Sequence, residues 1–235
     1  MRHVHATGIT AALAVGLFSS ALAADEVTST PTGPVAGPPR PRGPGRGFPA
    51  GGPWVSFYGA SRTVKPLAKI AATFRIINID ADPGVAAWTA AEITELKAGG
   101  RNRVISYMNV GSCENFREYF NQAPPGFVPC KNNLRAQRGR YSGYPDEIWM
   151  DPSNEAYTHL IVDHVALRLA RMGVDGFYLD NLEILEHGDK TTNGPCGDRC
   201  RQGGLELVAD LRKAYPHHLI VMQNATSDVT RLGVT

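Results

Sequence analysis

No run in this chain stays apolar for the roughly 20 residues that a bilayer-crossing helix needs, so no membrane span is expected. An excess of charge is missing too: 24 Lys and Arg against 22 Asp and Glu leave a net charge of +2. Nucleic-acid binding calls for a concentrated basic face, and none is expected here. The Gly-x-Ser-x-Gly elbow, the Gly-x-x-x-x-Gly-Lys-Ser/Thr loop and the His-Glu-x-x-His helix are all absent. Their absence removes the commonest single-motif readings, namely serine hydrolase, phosphate-loop nucleotidase and zinc peptidase. Cysteine is scarce, at four residues.

What is present begins with a leader. Arg2, His3 and His5 precede an apolar core at about residues 8–18 and the small triplet Ala21-Leu22-Ala23, the pattern of a secretory signal peptide. Cleavage after Ala23 is expected to release a secreted or periplasmic protein; the alternative for this stretch is a buried N-terminal helix. Residues 24–53 are expected to form a disordered linker. From 31 to 53, 15 of 23 residues are Pro or Gly, with Arg40, Arg42 and Arg46 the only charges. Such a composition buries too little apolar surface to offset its ordering entropy. Residues 54–235 are long enough for one domain with a substantial core.

In an exported chain, cysteines point first to disulfides. Cys113 with Cys130 and Cys196 with Cys200 are the expected pairs, each the nearest available and each bracketing a loop-like stretch. Cys196 and Cys200 also have a zinc-like spacing, but only His187 and Asp198 lie close in sequence as further ligands. No metal or other cofactor is expected.

From Trp54 onward, short apolar runs alternate with helical patterns, the signature of βα units around a parallel sheet. Strands are expected at 54–58, 74–80, 103–110, 147–151, 176–180 and 219–223. Thr89 and Glu92 make a capping-box pattern that opens a helix carrying Ile93 and Leu96 and stops at Gly99-Gly100. Tyr157, Leu160, Ile161, Val165 and Leu169 share one face of the clearest helix, which ends at Gly173. Another, over 205–215, turns Leu205, Val208 and Leu211 inward. Residues 111–146 read as irregular, with one short helical stretch at 114–120. The expected fold class is therefore α/β, a TIM-like (β/α) barrel of about six βα units that stops short, at its C-terminus, of the roughly 250 residues typical of a full eight. Open sheet edges would invite aggregation or a partner, whereas a completed barrel is expected to be a monomer.

Parallel α/β domains bind ligands at the carboxyl ends of their strands. The second strand ends Asn78-Ile79-Asp80, with Asp82 beyond; the third carries Tyr107 and Asn109. The fourth ends at Asp151, the fifth at Asp180-Asn181 with Glu183 beyond, and the sixth at Gln223-Asn224. Carboxylates and amides among aromatic rings suit sugars, whose hydroxyls need directed partners and whose C–H faces need an apolar platform. Trp54, Tyr58, Trp88, Tyr107, Trp149 and Tyr178 are candidate platforms, with core packing the alternative for each. Glycosidic cleavage takes a pair of carboxyl groups, and Asp180 is the first candidate for one of them. Asp151 precedes Pro152 and reads equally as a helix N-cap, while Asp82 and Asp175 read as turn residues. Asp80 and Asp180 close apolar strands, where a carboxylate costs free energy unless it is paired or faces a cleft; a structural ion pair is the alternative for both. His217 and His218 read as solvated.

Four segments, taken in order, carry a resemblance: Tyr107-Met108-Asn109-Val110-Gly111-Ser112, Trp149-Met150-Asp151, the run from Gly173 through Asp175-Gly176 to Asp180-Asn181-Leu182-Glu183, and Gln223-Asn224-Ala225. The chain resembles glycoside hydrolase family 114, the endo-α-1,4-polygalactosaminidase-like barrels, from about residue 54 to 225. The resemblance implies a TIM-like barrel that cleaves a galactosamine-containing polysaccharide by a two-carboxylate mechanism without a metal. Asp180 falls on the family's catalytic aspartate. The family's second acid is a glutamate on a strand after the Asn-Ala segment, and the chain is expected to end before it. Glu183 stands where many relatives have Asp.

On this reading Tyr58, Asp80, Tyr107, Asn109, Asp151, Asn181, Glu183 and Asn224 shape the sugar subsites, with Asp80 or Asp151 as candidates for the second carboxyl. Two other readings stay open. One is a degenerate barrel that holds glycan without cleaving it, and the other is a polysaccharide deacetylase, a class that usually depends on a metal held by His and Asp.

Overall fold

The computed structural model describes residues 47–63, 66–225 and 227. The leader expected over 1–23 and most of the expected linker lie outside the described residues. Strand β1 (Trp54–Phe57), helix α1 (Leu67–Thr73), β2 (Ile76–Ile79), α2 (Ala90–Lys97) and β3 (Arg103–Asn109) follow one another as βα units. The chain then builds a separate flap from β4 (Ser112–Glu114), the short α3 (Glu118–Asn121), β5 (Gln137–Arg140) and β6 (Glu147–Met150). A long helical segment returns it to the main sheet: α4 (Glu155–His159), a π turn (Leu160–Val165) and α5 (Ala166–Arg171). β7 (Gly176–Asp180), α6 (Asp198–Ala214) and β8 (Leu219–Met222) complete it. The main sheet is parallel, in the order β1-β2-β3-β7-β8, and the flap is antiparallel, in the order β4-β6-β5.

The expected parallel α/β architecture is present and does not close among the described residues, where β1 and β8 are its two edges. One expected strand sits elsewhere. Residues 147–151 supply β6, which pairs with β4 and β5 instead of entering the parallel sheet, so that sheet has five strands. The cause is the close fit of β3 to β7. They run in register as far as Asn109 opposite Asp180, and the Val110 N–H donates to the Asp180 carbonyl at 3.1 Å. Gly111 then rests so near Asn181 that a Cβ there would overlap the Asn181 carbonyl oxygen. No space is left for a strand between them.

Residues along the parallel strands alternate between two environments, as the period of two requires. Ser56, Asn78, Ile105, Gly176 and Leu219 lie side by side on one face, with Tyr107, Tyr178 and Val221 next along and Asn109 and Asp180 beyond them. The intervening Val55, Ile77, Ile79, Val104, Met108, Phe177 and Leu179 join Leu96, Leu160, Leu169 and Leu211 of the helices in one hydrophobic cluster. One face of the sheet thus packs on the helices, and the other carries polar groups, Asn109 and Asp180 among them, towards the carboxyl ends of its strands.

Local signals explain most element ends. Thr89 accepts from the Glu92 N–H, and Glu92 reaches back to the Thr89 N–H, completing the expected capping box. α2 ends where Ala98 and Gly99 turn left-handed, at φ 48 and 67°. The N-cap of α4 is Asn154, which accepts from the Tyr157 N–H at 3.0 Å; Asp151 does not cap it. α6 starts seven residues earlier than the expected 205. His218 is not simply solvated: its ring stacks on Phe177 with centroids 5.1 Å apart. Cys113 is joined to Cys130 and Cys196 to Cys200, with Cα separations of 6.4 and 5.3 Å.

Asn102 is fully buried between α1 and α2, and its amide donates to the carbonyls of Ala71 at 2.7 Å and Leu96 at 2.9 Å. Both are carbonyls near helix C-termini, which lack partners within their own helices. The Ala71 carbonyl also accepts from Arg101 at 3.1 Å, so Asn102→Ala leaves the Leu96 carbonyl as the one that loses its side-chain donor, and is expected to cost about 1–3 kcal/mol, read as a lower urea midpoint with an unchanged slope.

Candidate active site

Asp180 ends β7 on the polar face of the sheet. Its carboxylate accepts from Asn224 Nδ2 at 3.2 Å, while the Tyr107 hydroxyl, on the same face, donates to Glu114 Oε1 at 3.2 Å. Burial pushes this carboxyl above its ordinary range, against the pull of the Asn181 backbone N–H. Residues on both sides of the acid hold left-handed backbone, Asn181 at φ 57° and Asn224 at φ 70°. Such conformations are uncommon outside glycine, though Asn tolerates them best. Tyr58 stands beside this group, 43% exposed, with its hydroxyl accepting from Asn78 Nδ2 at 2.8 Å. Burial is also the main cause that lifts the Tyr58 phenol to about 12.

A second cluster adjoins it at the mouth between β3 and β7. Asn109 Nδ2 donates to Ser112 Oγ at 2.8 Å, and Asn181 Nδ2 donates to both Ser112 Oγ and Glu147 Oε2 at 2.8 Å. Ser112 Oγ donates to the same Glu147 oxygen. The flap is therefore tied to the strand ends through Glu147, a residue that sequence reasoning missed.

Asp80 lies in a third group, organised by Arg117. Arg117 is 3% exposed and donates to Asp80 at 3.0 and 2.9 Å and to Glu114 at 2.7 and 3.3 Å. Burial pushes the Asp80 and Glu114 carboxyls up, while the guanidinium between them pulls both down. Asp82 joins through Arg168 at 3.2 Å and accepts from the Gly84 N–H at 2.9 Å, as a turn residue does. Asp175, at the opposite end of the sheet, pairs with Lys97 at 2.8 Å and accepts from the Val104 N–H.

The remaining sequence candidates separate. Asp151 sits away from Asp180, ion-paired with Arg138 and accepting from Ser153 N–H and Oγ at 2.8 and 2.6 Å, beside the Cys196–Cys200 bridge. Glu183 accepts from the Tyr141 hydroxyl at 3.3 Å, and its Oε2 is buried without a partner. Burial, with the Asp180 charge adding to it, pushes its carboxyl up. Trp149, Trp88 and Tyr107 are buried and offer no platform. Among the described residues the exposed rings are Phe48, Tyr58 and, on the flap, Tyr144 and Phe116. Tyr144 packs edge-on against Tyr141, which stacks on Trp149. A cavity of about 590 Å³ lies elsewhere, between the α4 and π-turn face and α6, and none of the strand-end groups lines it.

The family model described as glycoside-hydrolase family GH114 matches residues 44–230. Among solved structures, the glycoside hydrolase domain of PelA from Pseudomonas aeruginosa matches with a TM-score of 0.54 at 17% identity, over 73% of this chain and 59% of that one. Aspergillus fumigatus Ega3, solved in complex with galactosamine, matches with a TM-score of 0.50 at 21% identity, over 73% and 58%. TtGalA, an α-galactosidase from Thermus thermophilus in complex with stachyose, gives 0.50 at 16%, over 75% and 39%. These likenesses are of fold. The chain spans less than two thirds of the length of each. No curated protein sequence matches it.

Proposed function

Because the chain belongs to glycoside hydrolase family GH114, we propose that it hydrolyses glycosidic bonds in a galactosamine-containing polysaccharide, with Asp180 as one of two catalytic carboxyls. The observation that carries this reading is Asp180 itself: a partly buried acid at a strand's carboxyl end, held by Asn224. Glycosidic cleavage needs a carboxyl whose proton affinity is tuned and whose direction is fixed. Asn224 beside it offers an amide suited to sugar hydroxyls, Asn109 and Asn181 being buried and engaged with Ser112 and Glu147, and Tyr58 supplies an exposed ring. Glu183 places a second acid beside Asp180, which suits the ammonium groups of deacetylated galactosamine.

Asp80 and Asp151 are poor choices for the second carboxyl, since Arg117 holds both oxygens of the first while Arg138 and Ser153 hold those of the second. That observation favours one competing reading, a barrel that retains glycan without cleaving it. We place the work outside the cytoplasm, with residues 1–23 as leader, 24–53 as spacer and 54–235 as the barrel domain; the two disulfides support an oxidising compartment. The deciding experiment incubates the chain with partially deacetylated galactosamine polymer and measures new reducing ends beside polymer retention. Release of reducing ends supports the hydrolase. Retention without release favours the binding module, and neither overturns both.

A further inference from the structure

The flap hairpin between β5 and β6 ends in a row of rings. Tyr144 is 57% exposed and packs edge-on against Tyr141, with centroids 4.9 Å apart. Tyr141 stacks on the buried Trp149 at 4.1 Å, and Trp149 meets His187 edge-on at 5.0 Å. Two ties fix this row to the strand ends. The Tyr141 hydroxyl donates to Glu183 at 3.3 Å, three residues beyond Asp180. The Tyr141 N–H donates to the Glu147 carbonyl and the Glu147 N–H to the Tyr144 carbonyl, both at 3.0 Å, while the Glu147 carboxylate accepts from Asn181, the residue after Asp180. The loop between β7 and α6 holds the same hairpin from the other direction of the chain. Asn193 Oδ1 accepts from the Ser142 N–H at 2.7 Å and from Trp149 Nε1 at 2.8 Å, and Gly194 lies so near that a Cβ there would overlap the Trp149 ring.

We propose that Tyr144, backed by Tyr141, is a stacking platform for a hexosaminyl unit of the polysaccharide other than the one at Asp180, so that the flap carries a further sugar subsite. The inference rests on the saccharide reading of the Asp180 mouth given above. A pyranose has a C–H-lined face that gains from an aromatic surface, while its hydroxyls stay in water. Tyr144 suits that task because its ring meets solvent over more than half its surface, whereas Tyr141 and Trp149 beneath it do the packing. A platform held in place before the ligand arrives loses little freedom on binding, and the Glu147 and Asn193 contacts hold this hairpin. The other exposed ring at the mouth, Tyr58, follows β1, while Tyr144 is tied through Tyr141 and Glu183 to the loop after β7. β2 and β3 lie between those strands. At about 4.8 Å per strand spacing, that span exceeds one sugar ring, so a ligand touching both tyrosines is an oligomer or polymer.

The test measures binding of partially deacetylated galactosamine polymer, with Asp180→Asn present throughout so that no polymer is cut. Tyr144→Ala is expected to raise Kd about 5–10-fold, and Tyr144→Phe, which keeps the ring, to leave it within about twofold. Phe48→Ala is the control. Its ring is 46% exposed but precedes β1, next to Gly47, whose carbonyl accepts from Arg103 at the amino end of β3, and its loss is expected to leave Kd unchanged. Urea midpoints of all variants are expected to match the parent's; Tyr144→Gln removes the ring equally should Tyr144→Ala fold poorly. Unchanged binding after loss of the Tyr144 ring overturns the platform and leaves the reading of Asp180 in place. An equal loss in Tyr144→Phe or in Phe48→Ala overturns it too, by assigning the effect to the hydroxyl or to general surface adhesion. A chain that binds no polymer overturns the platform, and if the chain with Asp180 intact also releases no reducing ends, the saccharide reading falls with it. Polymer bound through Tyr144 without any release of reducing ends would refute hydrolysis and leave this inference standing.

Discussion

Asp180→Asn is expected to reduce the release of reducing ends by about 10²–10⁴-fold, the range for losing a positioned proton-transfer group, and to leave the fold intact. The substitution keeps an oxygen for Asn224 to donate to and changes the shape of the side chain very little. It also removes an ionisation that the folded state disfavours. Because burial raises the folded Asp180 above its unfolded value, the acid's contribution to stability is fully present below the unfolded pKa and is lost as pH rises through the folded one. The neutral amide carries no such loss. At pH 7 the variant should therefore unfold at the same or a higher urea concentration than the parent. A fall in both activity and urea midpoint would mean that Asp180 supports the structure, and the assignment of chemistry to it would have to be withdrawn.

Arg117→Met should be the most damaging single change to stability, at about 3–5 kcal/mol near neutral pH, the cost of breaking a buried ion pair by removing one partner. Methionine replaces the bulk but not the charge, and Asp80 and Glu114 are left buried with no cation between them. Their carboxyls, already pushed up by burial, would rise further once the guanidinium is gone. Groups with raised folded pKa values contribute destabilisation that grows as pH rises through those values and disappears below the unfolded ones. The deficit should accordingly be large at pH 7 and shrink towards pH 4, as measured by urea unfolding at both. A deficit independent of pH would mean that lost packing, and not the stranded carboxylates, is responsible.

Position along a strand was enough to single out Asp180 from sequence, because the carboxyl end of a buried parallel strand is where a polar group most needs a reason. The capping box at Thr89 and the two disulfides were legible for similar reasons: short spacing and one dominant interaction. Asp80 met the same strand-end criterion, but its partner is Arg117, thirty-seven residues along the chain, and no local pattern announces an ion pair at that distance. Glu147 was lost to a wrong sheet. Assigned to a parallel strand, it falls at the start, the end opposite the site; in the antiparallel flap it reaches Asn181. The clue was available in Tyr141-Ser142-Gly143-Tyr144, a turn whose Gly143 has φ 95° and which joins two short strands as a hairpin. The cap at Asn154 was overlooked because Asp151-Pro152 offered a stronger pattern three residues earlier.

The two-faced parallel sheet also bears on how such a protein can change over time. Neighbouring residues of one strand answer to different demands: Phe177 and Leu179 to the helices, Tyr178 and Asp180 to whatever occupies the mouth. Variation at Tyr58 or Tyr178 can therefore explore new ligands without loosening the layer beneath, and repacking beneath can proceed without disturbing the chemistry. A lineage built on this scaffold is free to diversify in what it recognises while inheriting the same foundation.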